Sequence, residues 1–267
     1  RYSGHNHSRA IARYESDRSS LDMGRHPAAV RPMSRVSYVP SAALVVRRSA
    51  LSTLGGFDEA LRYGEDVDLV WRLIASGATV RYQPESVVWH QPRANLRSWL
   101  RQRFDYGTSA APLSMRHRDQ LSCARISRWS AAAWGLAAMG APVAGLAVAG
   151  ITASLLPRKL RDRGVPILAS LGLAGRGHLG AGGLLADATR RAWWPLALLS
   201  KRGRVLLLAG LLPIVIDAVS RQHELDRLRW ALLRIADDLA YGAGVWAGCL
   251  RHRTAAPLLP RFTGKSR

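Results

Sequence analysis

Glu65, Asp66 and Asp68 crowd three carboxylates into four positions, and Asp58-Glu59 lies just upstream, in a chain where basic residues outnumber acidic ones 39 to 18. Carboxylates at that density can take a proton from a reacting hydroxyl, hold a ligand, or satisfy the free N–H groups at a helix start. Capping accounts well for one acid and less well for three. Asp58 and Glu59 follow Gly55-Gly56-Phe57, a turn in which glycine allows positive φ or close approach to a ligand. Further on, His90 follows an extended segment and Arg93 comes three residues later, a pair suited to phosphate or metal and equally to plain surface. Gln102-Arg103-Phe104 adds an amide, a cation and an aromatic, which also fits an ordinary basic helix face.

The elements that must position these groups follow from periodicity. Ala42-Ala43-Leu44-Val45-Val46 reads as a buried strand. Ser49 caps a short helix over 50–54 that the glycines stop. Val67, Val70, Trp71 and Ile74 form one stripe of a helix over 65–76, ending at Gly77. Residues 79–82 are extended, 86–90 form a strand, and 95–106 a helix with Leu96, Trp99, Leu100 and Phe104 on one face. This order indicates an α/β piece. Residues 1–36 read as loops with one short helix.

Beyond residue 128 the character changes. Trp129 to Pro157 carry no charge, and about 20 such residues suffice for a span. The competing reading is a buried pair of small-residue helices with a break at Gly140-Ala141-Pro142. The stretch 166–185 is interrupted by Arg176 and His178, and 205–216 is short for a crossing. Leu225, Leu228, Leu232, Ile235 and Leu239 mark an amphipathic helix for a membrane surface or another helix, with Asp237-Asp238 as solvated surface. Basic clusters at Arg125/Arg128, Arg158–Arg163 and Lys201–Arg204 flank the apolar runs, which leaves orientation open. The net charge of +21 therefore points to anionic lipid. Nucleic acid is excluded by the lack of aromatic/basic interleaving and zinc-finger spacing. Cys123 and Cys249 form no CxxC pair, so neither a disulfide framework nor a thiolate metal site is expected. The opening residues lack the apolar core of a signal peptide.

Taken in order, Ala42–Ser49, Gly55-Gly56-Phe57-Asp58-Glu59, Gly64-Glu65-Asp66-Val67-Asp68-Leu69 and Trp89-His90 resemble the second half of the catalytic domain of family 2 glycosyltransferases, which have the GT-A fold. The resemblance covers about residues 35–110, and within the family it is greatest to the mycofactocin-system branch. It implies an inverting transfer of a sugar, glucose from UDP-glucose, to an acceptor hydroxyl. Asp66 is then the general base and Glu65 orients it or touches the acceptor. Gly55, Gly56, Phe57, Asp58, Glu59 and Asp68 shape the pocket. Arg93, Gln102 and Arg103 face the leaving diphosphate, and His90 approaches a divalent cation, Mg²⁺ or Mn²⁺. The partners implied are a nucleotide sugar, a peptide-derived or saccharide acceptor and membrane lipid, at the cell membrane with the catalytic part facing the cytoplasm. A cell-wall or lipid-linked saccharide is the alternative acceptor, and a non-catalytic membrane interaction protein the alternative class.

The chain departs from the family pattern in two respects. Upstream of Tyr38 there is no strand–Gly/Pro loop–helix unit for the nucleotide and no Asp-x-Asp for the metal. Gln102-Arg103-Phe104 only loosely matches the Gln-x-x-Arg-Trp of processive members. The expectation is a C-terminal portion lacking the donor-binding half, with impaired turnover. A partial GT-A domain would occupy residues 1–124, and an α-helical membrane-associated region residues 125–267.

Overall fold

Helices carry nearly all of the architecture. The structure, a computed structural model, describes residues 10–89, 93 and 95–263. In chain order the helices are α1 (Ala10–Asp17), α2 (Arg48–Thr53), α3 (Glu65–Ala75), α4 (Leu96–Thr108), α5 (Ala110–Arg116), α6 (Arg128–Ala138), α7 (Pro142–Leu160), α8 (Ile167–Ala188), α9 (Trp194–Ala197), α10 (Lys201–Ala209), α11 (Leu212–Ser220) and α12 (Arg227–Arg251). The strands are short: β1 (Ala28–Ala29) pairs antiparallel with β2 (Arg81–Tyr82), and β3 (Arg125–Ser127) pairs parallel with β4 (Arg261–Thr263). The chain divides into two compact units, one of Arg1–Ser122 with Ile214–Leu258, the other of Cys123–Pro213 with Leu259–Arg267.

In the first unit, α3 follows the expected stripe. Gly64, at φ 80°, sets its start, and a β-carbon there would come within 2.9 Å of Leu113 Cδ1, so glycine is favoured both by the left-handed backbone and by space. Val70 and Trp71 of α3 pack on Val30, Val36 and Val39, and the Trp71 indole N–H donates to the Ser37 carbonyl at 2.7 Å. The strands expected at 42–46 and 86–90 do not form. Ser41–Ala43 is a 3-10 turn, Val45 is 98 % exposed and 86–89 is irregular. An apolar run becomes a strand only where a neighbour accepts its ladder, and the described residues offer none to either segment. The helix read at 50–54 starts earlier, at Arg48, without a side-chain cap, whereas α4 starts as expected with Asn95 accepting from the Ser98 N–H at 2.8 Å.

Far along the chain, α12 packs on α4 through glycines. A β-carbon on Gly107 would strike the Tyr241 carbonyl and one on Gly244 the Phe104 carbonyl, while Gly248 sits against the Thr108 carbonyl. The backbones approach too closely for any side chain between them. Gly244→Ala is therefore expected to force the two helices apart, at a cost of about 1–3 kcal/mol, read as a lower urea midpoint with unchanged slope.

A buried polar network ties α1 to the same pair. Arg103 pairs with Glu15 and, at 3.2 Å, with Asp237, and donates to Ser20 Oγ at 2.7 Å. Trp99 Nε1 also donates to Glu15. Tyr14 Oη donates to Asp237 at 3.0 Å, and Arg234 pairs with Asp238 at 3.2 Å. Asp238 is buried, so the expectation of a solvated Asp237-Asp238 pair is wrong. On α12 these acids point inward because buried guanidinium groups wait for them, and an unpaired buried cation costs more than a pair.

The second unit holds α6–α8 as successive helices broken at Gly140, whose φ is 93°. Despite its glycines, the stretch from 167 to 185 lies within one continuous helix, α8, which runs into a π-helical turn at Thr189–Trp193. His178 bridges three helices: Nδ1 lies 3.0 Å from Ser130 Oγ and Nε2 3.1 Å from Thr152 Oγ1. Two stretches, Pro142–Arg163 and Lys201–Ser220, are long and apolar enough to cross a membrane. The second is longer than the apolar run read from sequence, because α10 begins at Lys201 and α11 continues to Ser220.

Candidate active site

The acid cluster divides by face. Residues two apart on an α-helix point about 200° apart, so Asp66 and Asp68, both in the first turn of α3, cannot serve one ligand together.

Asp68 points inward and is buried. Its Oδ2 accepts from Arg72 Nε at 2.7 Å and its Oδ1 lies 2.8 Å from His117 Nε2. Arg72 passes the restraint on: its other nitrogens donate to the Leu54 carbonyl at 2.8 Å and the Gly56 carbonyl at 2.7 Å. Those are the carbonyls of the diglycine turn, where Gly55 and Gly56 both have φ 74°. Arg116 closes the loop from the other side by pairing with Asp58, and this bond, with the Ala60 N–H at 2.9 Å, holds the Asp58 carboxyl below the usual carboxylate range. Phe57 and Glu59 project into solvent. Asp68 therefore fixes the loop from behind through Arg72. Arg72→Ala should release it, with amide exchange at Gly56, Ala60 and Leu61 about tenfold faster or more, given charge-assisted bonds worth about 1.5–3 kcal/mol each. Exchange on α12 should stay unchanged.

Asp66 faces the opposite way and remains partly exposed. It accepts backbone bonds only, from Val67 N at 2.8 Å and, more loosely, from Ser41 N at 3.4 Å. No ion pair involves it among the described residues. Burial raises its pKa above the ordinary value, against the lowering effect of the Val67 N–H. Two phenols share its field. Tyr38 and Tyr106 are both pushed up, mainly by burial, with Asp66 adding to the shift. Tyr106 Oη accepts from Gln102 Nε2 at 2.9 Å, which places Gln102 beside this group. Glu65, one position from Asp66, is half-buried, and Arg93 is exposed.

Arg103 is placed otherwise than the sequence led us to expect. It is 2 % exposed and its charge is committed to Glu15 and Asp237, so it has no face for a diphosphate. His90 lies outside the described residues. Among the described residues no group of three or more His, Cys, Asp or Glu could hold a metal ion, so the residues described do not supply a divalent cation with a ligand set. Arg72 could have been found from sequence, as the basic residue four positions after Asp68 on one helix face. Tyr38, Tyr106 and His117 carried no local signal, since only the fold brings them here.

Comparison with known proteins extends this picture. The family described as "Glycosyl transferase family group 2" matches residues 2–212. The reading of the chain as a C-terminal remnant of that domain, with the likeness confined to about 35–110, is overturned by this match. The "Pre-mycofactocin glycosyltransferase" of Mycobacterium tuberculosis, in strain H37Rv and in strain CDC 1551, is 43% identical over 94% of this chain and 57% of its own length. The "Probable glycosyltransferase YdaM" of Bacillus subtilis (strain 168) is 30% identical over 26% of this chain. The chain thus spans little more than half the length of the mycobacterial relatives. No solved structure matches it.

Proposed function

Because the chain belongs to glycosyl transferase family group 2, we propose that it takes part in an inverting hexosyl transfer in which Asp66 is the general base. The donor is UDP-glucose and the acceptor a hydroxyl of a peptide-derived molecule of the mycofactocin type, in keeping with the name of the mycobacterial relatives. The observation that carries the reading is the state of Asp66. Among the described residues no cation pairs with it, its pKa is raised, and it is reachable from solvent. A base that takes a proton near neutral pH works best with its pKa moved towards that range.

In the proposed step the acceptor oxygen attacks the anomeric carbon as the bond from that carbon to the diphosphate oxygen breaks. The acceptor proton passes to the Asp66 carboxylate and the nucleoside diphosphate departs. One base and one in-line displacement invert the anomeric centre, so an α-linked donor gives a β-glycoside. Glu65 contacts acceptor hydroxyls, and the Gly55–Glu59 loop, held by Asp68 and Arg72, walls the pocket. Tyr38 and Tyr106, kept as neutral phenols, offer hydroxyls to the sugar or acceptor. Arg93 is the exposed cation for the departing charge. Arg103 acts by holding α4 in place.

We place Pro142–Arg163 and Lys201–Ser220 in the cell membrane, with the acid cluster on the cytoplasmic side. Support comes from apolar side chains left in the open, among them Val143, Leu146, Val205 and Leu208, since a helix apolar all round belongs in a core or a bilayer. Incubation with UDP-glucose and a peptide-derived acceptor, followed by proton NMR of the new anomeric signal, tests the reaction. A β-linkage is expected, and an α-linked product would exclude the single displacement. Co-flotation with phosphatidylcholine vesicles, retained in high salt, is expected from embedded helices, and release by salt would exclude them.

A further inference from the structure

A second polar site lies in the first unit, on residues that the transfer reading does not use. A cleft of about 220 Å³ is lined by Arg62, Tyr63, Arg101, Asp105, Arg251 and His252, among others. Its one carboxylate is fully engaged: Asp105 Oδ1 accepts from Arg101 Nε at 3.0 Å and Oδ2 from Tyr63 Oη at 3.0 Å. That pairing fixes the Tyr63 ring, over which the Arg62 guanidinium sits 5.5 Å from the centroid. Arg251 and His252, at the end of α12, make no side-chain hydrogen bond or ion pair among the described residues. Two guanidinium groups, Arg62 and Arg251, therefore line one cleft whose single acid is already engaged, and like charges sharing a cleft favour an anion between them.

The size and the surroundings narrow the ligand. Pockets for drug-sized molecules run from roughly 300 to 1,000 Å³, so this cleft takes a head group rather than a whole nucleotide sugar. Guanidinium forks match phosphate oxygens two at a time. An adjoining groove is lined by Arg97, Leu100, Arg101, Phe104 and Ala240. It shares Arg101 and Phe104 with the cleft, and its floor is apolar with a cationic rim. We propose that this cleft is a binding site for a phosphate or diphosphate group, metal-independent and distinct from the Asp66 site, with the groove receiving whatever apolar chain that group carries.

Titration calorimetry of the whole chain with sodium pyrophosphate, without divalent metal, tests the proposal. Saturable binding is expected, weakened about tenfold or more in Arg62→Gln/Arg251→Gln and less in Arg251→Lys. The Asp66→Asn variant and the control pair Arg161→Gln/Arg163→Gln, which do not line the cleft, should bind like the parent. All the substituted arginines are exposed, and circular dichroism of each variant confirms that the helices persist. Repeating the titration with vesicles of phosphatidylcholine, and of phosphatidylcholine with phosphatidic acid, separates the sources. Competition by phosphatidic acid identifies a lipid phosphate as occupant, and no competition identifies a soluble one. The proposal is overturned if neither pyrophosphate nor phosphatidic acid binds saturably. It is equally overturned if the control pair weakens binding as much as Arg62→Gln/Arg251→Gln.

Discussion

Asp66→Asn is expected to lower sugar transfer by about 10²–10⁴-fold, the contribution of a positioned general base, while leaving the fold intact. Asparagine keeps its oxygen for the Val67 N–H and gives up only the looser contact from the Ser41 N–H, which reaches the other carboxylate oxygen at 3.4 Å, so the start of α3 keeps its closer bond. It cannot accept the acceptor proton. The raised pKa also fixes the sign of the stability change. A carboxyl with its folded pKa above the unfolded one favours the protonated form in the fold, so its contribution is greatest at low pH and falls as pH rises through the folded value. At neutral pH the parent bears the cost of a partly buried charge that the amide lacks. The variant should be as stable as the parent or more so at pH 7, with the gap closing below about pH 3.9. Equal activity in the two proteins, with equal folding, would make Asp66 a mere cap.

Arg103→Ala should have the largest effect on stability, a loss of about 3–5 kcal/mol. Glu15 is 1 % exposed and takes bonds from both Arg103 and Trp99. Removing the guanidinium leaves a buried carboxylate, together with Asp237, short of its cation. Since domains of this size are stable by about 5–15 kcal/mol, that is a large share of the total, and urea denaturation should show it directly. The paired change Glu15→Gln/Arg103→Met should recover much of the loss, because neither partner is then left charged in the interior. If Arg103→Ala costs little stability yet weakens diphosphate binding, the guanidinium faces ligand after all.

Helices were legible where one face had to be apolar. The stripe of α3 and the Asn95 cap of α4 depend on residues three and four apart, which sequence displays; the leucine spacing marked α12 as a helix but not its packed face, since Leu228, Leu232 and Leu239 stay exposed while Trp230, Arg234 and Asp238 are buried. The apolar runs at 42–46 and 86–90 misled because strand formation needs a partner that no local pattern reveals. Asp237 misled for a related reason: its cation, Arg103, comes from α4 and its phenol donor, Tyr14, from α1, both distant in sequence, whereas the Arg234 that pairs with Asp238 lies one turn back on the same helix. At the site, the motif Gly64-Glu65-Asp66-Val67-Asp68 marked the correct helix start but hid its two-sidedness. Helical geometry alone sends Asp66 and Asp68 to opposite faces. The phenols of Tyr38 and Tyr106 and the imidazole of His117 join these acids only through packing, and the division into a loop-holding acid and an outward acid emerged with them.

The pH dependence of sugar transfer from UDP-glucose, measured on the parent and on Asp66→Asn at matched protein concentration, bears most directly on the claim that Asp66 is the base. The parent should show an acidic limb, rising to a plateau through an apparent pKa above the ordinary aspartate value of about 3.9, as its partly buried carboxyl demands. In Asp66→Asn that limb should vanish along with most of the rate. An acidic limb of the same position in both proteins would contradict the assignment.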